Sequence, residues 1–181
     1  MNMSKRHAPA ARGFSLVEVL VTIVVLAVGL LGLAKMQAAA ISNTKVSGVR
    51  ALISLQASSL ASAMHGNRGY WAAGVAPATF SASGTTIVDS TGVLTGTTDC
   101  AAATCTPAQL AAYDVATWAR AVNSQFPSYS ALVTCSTVIT LPVSCDIKLS
   151  WSEKYVAINR TTAASGVAQT STQSFTLHVK P

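Results

Sequence analysis

The stretch RGFSLVEVLVTIVVLAVGLLGLAK, residues 12–35, decides how the rest of the chain is read. From Leu16 to Ala34 it is apolar on every side, close to the ~20 residues that cross ~30 Å of hydrocarbon as a helix. One carboxylate, Glu18, sits inside this run, and Lys5, Arg6 and Arg12 precede it. An ionisable group in a lipid span costs about 2.5–3.5 kcal/mol at the centre on insertion scales, and less near an end. Three readings compete. A secretory signal would cut after small residues such as Ala38-Ala39-Ala40, and gains nothing from Glu18. A permanent anchor leaves the carboxylate equally unexplained. A short basic leader ending at Gly13 explains it, if Glu18 meets an opposite charge in a water-poor core.

The order basic leader, Gly13, Phe14, Glu18, apolar run resembles the class III signal of type IV prepilins. The resemblance implies that a membrane-embedded prepilin peptidase cuts after Gly13 and methylates the new amine of Phe14. It also implies that Glu18 pairs with the N-terminal amine of a neighbouring subunit in a filament core. SLVEVLVTIVVLAVGLLGLAKMQ is similar to the start of PilV-type minor pilins, as are ASSLASAMHGNRGYW and CTPAQLAAYDVATWARAV. The likeness covers residues 12–71 and, less closely, 100–122. Many major pilins carry a Pro within the membrane segment. Here none falls between Phe14 and Met64, and Gly29 and Gly32 are the helix weakeners in that part, at about 1 kcal/mol each against Ala.

Beyond Lys35 the helical pattern continues. Val46, Val49, Ile53, Ala57, Leu60 and Met64 recur at spacings of three and four, while Ser47, Ser54, Ser58 and Ser62 fall on another face. Leu52 and Leu55 lie outside the apolar stripe, either as ordinary exposed leucines or as contacts to other subunits. Gly66, Gly69 and Gly74 mark a stop. One helix is therefore expected over residues 14–65, about 78 Å long at 1.5 Å per residue, with residues 16–35 in the membrane.

Residues 66–181 are expected to form a globular head. TTIVDSTGVLTG, residues 85–96, reads as a short hairpin. Thr106, Pro107 and Gln109 give a cap, a Pro at the first helical position and a capping-box partner. Ala111, Val115, Trp118 and Val122 then share one face, with Trp118 in the core. SALVTCSTVIT and SCDIKLSW flank Leu141-Pro142-Val143 as an antiparallel hairpin, and KYVAIN and SFTLHV read as further strands. The expected class is α+β: a long N-terminal helix packed on a C-terminal antiparallel sheet, the type IV pilin architecture.

Four cysteines allow three pairings. Cys135 and Cys145 flank the proposed turn, and Cys100 and Cys105 are close in sequence, so Cys135–Cys145 and Cys100–Cys105 are expected. All four follow the apolar run. By the positive-inside rule they lie across the membrane from the basic N-terminus, in an oxidising compartment. Spacings of C-x₄-C and C-x₉-C do not match the paired short loops of zinc sites, and no metal or cofactor is expected.

The net charge is +6, but beyond the leader the cations are scattered singly, which argues against nucleic acid. The head holds Asp89, Asp99, Asp114, Asp146 and Glu153, with no acid–base pair, nucleophile elbow or phosphate loop in sequence. Asp114, on the second helix, is expected to be solvated or bonded to the nearby chain rather than catalytic. His65 suits a helix C-terminus and His178 a surface strand position. Arg50, Arg68 and Lys45 read as solvated cations.

The expected function is structural, not enzymatic: a minor pilin of the type IV pilus, acting in assembly, priming and the tip complex. The resemblance implies other minor and major pilins, prepilin peptidase, the inner-membrane assembly machinery, inner-membrane lipid and a large tip adhesin as partners. It implies a single-pass inner-membrane protein with a periplasmic head that later reaches the cell-surface fimbrium, with twitching motility and adhesion as associated processes. Rival readings are a type II secretion pseudopilin, a DNA-uptake minor pilin and a membrane-anchored periplasmic enzyme.

Overall fold

A 3.6-residue apolar period in the N-terminal third and in one later segment, and a two-residue period toward the C-terminus, set the elements. The computed structural model describes residues 13–136, 142–154 and 170–181. Helix α1 runs Leu16–Gly66, uninterrupted because it holds no Pro. A single turn, α2 (Arg68–Trp71), follows. Strands β1 (Thr79–Ser83) and β2 (Thr86–Asp89) lead through a 3₁₀ turn at Val93–Thr95 to α3 (Pro107–Gln125). Strands β3 (Ser130–Cys135), β4 (Cys145–Lys154) and β5 (Thr170–Val179) complete the chain. The class is α+β, as expected.

The chain divides into two compact units, Met1–Lys45 and Val46–Pro181. In the first, every described residue up to Ile41 is exposed, including Leu20, Leu26 and Leu31 at 63–67%. The helix here is long and apolar enough to cross a membrane. The Thr22 hydroxyl donates to the Val19 carbonyl at 2.8 Å, so even this polar side chain is satisfied within the helix.

In the second unit five antiparallel strands are ordered β2-β1-β3-β4-β5. Phe80, Val133, Ile147 and Leu177 lie in register across four strands, and Ala82, Ala131, Leu149 and Phe175 form the next row. These point to one face; Ser81, Ser83, Ser130, Ser150 and Ser174 alternate onto the other. The core joins this inner face to Ile53, Ala57, Leu60 and Met64 of α1 and to Ala111, Val115, Trp118 and Val122 of α3. Both expected helical stripes are thus buried or, at Val46 and Val49, half-buried.

The helix start at residue 106 is a full capping box. The Gln109 amide N–H donates to Thr106 Oγ1 at 3.3 Å, and the Thr106 N–H donates to Gln109 Oε1 at 2.9 Å. The Trp118 indole N–H donates to the Gln56 carbonyl at 2.8 Å, tying α3 to α1.

The hairpin expected over residues 85–96 forms differently. β2 pairs backward with β1, around a turn in which Gly84 takes φ +59°. Residues after Asp89 do not continue as a strand, because the Asp89 carboxylate accepts from the Thr91 N–H at 2.9 Å and the Leu94 N–H at 3.0 Å. Burial alone would raise this carboxyl's pKa. The amides of Leu94 and Thr91 outweigh that and hold it below its ordinary value.

Of the expected C-terminal strands, SFTLHV lies within β5. KYVAIN beyond residue 154, residues 137–140 of SALVTCSTVIT, and Leu141 fall outside the described residues.

Candidate functional site

The residues expected to serve processing and assembly lie at the start of α1. Gly13, Phe14 and Ser15 precede the first helical residue, Leu16, without regular structure, and Phe14 is 84% exposed. Ser15 is the cap: its Oγ accepts from the Val17 N–H at 3.3 Å, and its carbonyl accepts from Glu18 and Val19 at 3.0 and 3.2 Å. The peptide bond after Gly13 therefore lies outside the helix, in an exposed segment. Residues 1–12, the rest of the expected leader, lie outside the described residues.

Glu18 occupies the third helical position. The spacing Ser15-x-x-Glu18 is that of a capping box. Neither bond of the box forms: the serine hydroxyl caps the second helical amide, Val17, the Glu18 N–H donates to the Ser15 carbonyl, and no hydrogen bond from the Ser15 amide to the Glu18 carboxylate is present. Glu18 has no ion-pair partner among the described residues. Its carboxylate lies at the positive end of the helix dipole and remains available to an external cation.

Sequence reasoning treated Arg50 as a solvated cation; it is instead half of a fixed pair. Arg50 Nε donates to Glu153 Oε1 at 3.0 Å and its terminal nitrogen donates to Oε2 at 2.9 Å, a bidentate fork between α1 and β4. The Trp151 indole N–H donates to the same Oε1 at 3.0 Å. Glu153 is only 9% exposed, and these three bonds, with the arginine's first, hold its carboxyl below its ordinary pKa. The fork raises the Arg50 pKa further. A signal for this pair was present. Cys145, Ile147, Leu149, Trp151 and Glu153 share one parity, so strand alternation turns a carboxylate inward, where it needs a cation.

Cys135 and Cys145 are directly opposed in the β3–β4 register and bonded, with Cα atoms 4.0 Å apart. Cys100 and Cys105 are bonded across the loop before α3, at 5.6 Å. His65 Nδ1 lies 2.8 Å from the Ala61 carbonyl, one turn back on α1. His178 is on the outer face as expected, but it pairs with Asp146 across the β4–β5 register at 2.8 Å. Asp114 is half-buried on α3, and burial raises its pKa. Leu52 and Leu55 are 44% and 63% exposed.

Residues 9–34 match the family signature of the prokaryotic N-terminal methylation motif. No curated protein and no solved structure gives a significant match to the chain. The matched segment carries a type IV pilin-like signal, which supports a protein of the pilin or pseudopilin type. A long apolar N-terminal helix with an antiparallel-sheet head is consistent with the type IV pilin fold. Such a signal implies processing by prepilin peptidase, anchoring in a membrane before assembly, and assembly with other pilins. The pilin-like class is structural.

Proposed function

We propose that the protein is a minor pilin of the type IV pilus, similar to the PilV type, acting in assembly, priming and the tip complex. The observation that carries this reading is the methylation motif, residues 9–34, leading directly into the exposed apolar helix. In this reading the chain enters the inner membrane once, with residues 16–35 in lipid and the head in the periplasm. Prepilin peptidase removes residues 1–13, and Phe14 becomes the methylated N-terminus. Residues 14–65 form the helical stalk and 66–181 the head. Glu18 then meets the amine of a neighbouring pilin where water is scarce, so a burial that is unfavourable in lipid fixes the register of a polymer. Similarity of residues 12–71 to PilV-type sequences supports the minor-pilin reading, with other minor pilins and a large tip adhesin as partners.

Mass spectrometry of the mature N-terminus tests the processing step. A methylated Phe14 is expected; a chain beginning near Ile41 would refute it. Glu18→Ala should leave insertion and cleavage near normal while incorporation into pili falls sharply. Unchanged pilus number and composition would remove the charge-pairing role. Crosslinking should recover pilus components, and recovery of secretion components in their place would make the protein a pseudopilin.

A further inference from the structure

We propose that the cleft between the 3₁₀ turn and α3 binds a neutral saccharide. The cleft encloses about 460 Å³, within the range of ~300–1,000 Å³ typical of small-ligand sites. The half-buried Ile87 contributes its apolar side, with the fully buried Leu94 packed beneath it. Its rim is dominated by hydroxyls. Those of Thr85, Thr97, Thr98 and Tyr113 make no hydrogen bond to protein among the described residues, so their donors and acceptors are free for a ligand. Asp99 and Arg120 also line the cleft, and neither has an opposite-charge partner among the described residues.

The ligand class follows from this mixture. A carboxylate accepts from sugar hydroxyls, a guanidinium donates to hydroxyl or ring oxygens, and threonine hydroxyls do both. The half-buried Tyr113 ring offers an apolar surface for a pyranose ring. A phosphate or other strong anion would face Asp99, and an apolar peptide anchor would face a hydroxyl rim.

The walls are held in place before any ligand arrives, which lowers the entropic cost of binding. Asp89 fixes the turn through the Thr91 and Leu94 amides. Asp99 Oδ1 accepts from the Ala101 N–H at 2.9 Å, and the Cys100–Cys105 bond closes the loop immediately after it.

The full chain in detergent micelles is titrated against immobilised glucose, galactose, mannose, N-acetylglucosamine and their β-linked dimers, and against sialylated and sulfated galactose. At least one neutral sugar should bind. Asp99→Asn, which can still accept from Ala101, and Arg120→Gln should each weaken it about tenfold or more. Ser59→Ala, on α1 outside the cleft, should leave binding unchanged. Near-ultraviolet circular dichroism confirms that each variant is folded; should Asp99→Asn unfold, Arg120→Gln alone decides. Absence of binding to every neutral sugar overturns the proposal. So does equal binding by the folded cleft variants, or binding of sialylated or sulfated sugars alone.

Discussion

The two halves of α1 share a helix and little else. Over residues 13–41 every side chain is exposed, although most are large and apolar. Over residues 46–66 the chain is more polar, yet Ile53, Ala57, Leu60, Ala61 and Met64 are buried. Apolar content therefore does not decide burial; its arrangement does. The first half is apolar all round, so one sheet face could not cover it, and it needs surroundings such as lipid or other helices. The second half is a narrow stripe with Ser54, Ser58 and Ser62 elsewhere, their hydroxyls turned back onto carbonyls three or four residues earlier at 2.8–2.9 Å. That stripe fits a single packed face.

The sharpest way to break this contrast is to truncate one side chain in each environment. Trp118→Ala, which removes core volume and the bond to Gln56, should destabilise the head by about 3–5 kcal/mol in chemical denaturation. Leu26→Ala should change head stability by no more than about 0.5 kcal/mol, as at an exposed site. Adding a charge reverses the ranking. Leu26→Lys should oppose membrane insertion by about 2.5–3.5 kcal/mol in a glycosylation-reporter assay. Leu55→Lys should insert normally.

Replacing Cys135 and Cys145 together by Ser should lower head stability by about 2–3 kcal/mol, from the loop of sequence separation 10 that the bond closes. Glu153→Ala should cost about 1–3 kcal/mol, because it leaves the buried Trp151 N–H without its acceptor. The pH dependence has a definite sign. The Glu153 carboxyl is held below its ordinary value, so its contribution is present above about pH 4.3, the unperturbed value. The contribution is lost as pH falls through the lower folded-state pKa. Melting temperatures of the native chain and Glu153→Gln should therefore converge in acid and separate toward neutrality. Smallest, Thr106→Ala should cost about 1 kcal/mol by removing one half of the α3 cap.

Much of the fold was legible because helices announce themselves locally. Thr106, Pro107 and Gln109 specify a start without reference to the rest of the chain, and the 111-115-118-122 spacing fixes which face of α3 is buried. Strand β1 was not legible. Thr79–Ser83 contains one large apolar residue, Phe80, and its pairing is imposed by the Gly84 turn and by β3. At the N-terminal signal, residue order alone was informative, whereas the Ser15 cap on Val17 emerges only in the folded geometry. The Arg50–Glu153 fork joins residues 103 apart, and no local pattern in α1 distinguishes Arg50 from a wet cation. Only the inward parity of β4 hints at it.

The fork has a mechanical consequence. A tensile load carried along α1 reaches the head at Arg50 and passes through two parallel bonds into β4. That strand lies between β3 and β5, so the load divides between two hydrogen-bonded ladders. A second coupling runs from the Gln56 carbonyl through Trp118 into α3. Tension on the stalk therefore enters the head at an interior strand and spreads across the sheet, where rupture requires many bonds to slide together; an attachment at an edge strand would let them open one at a time.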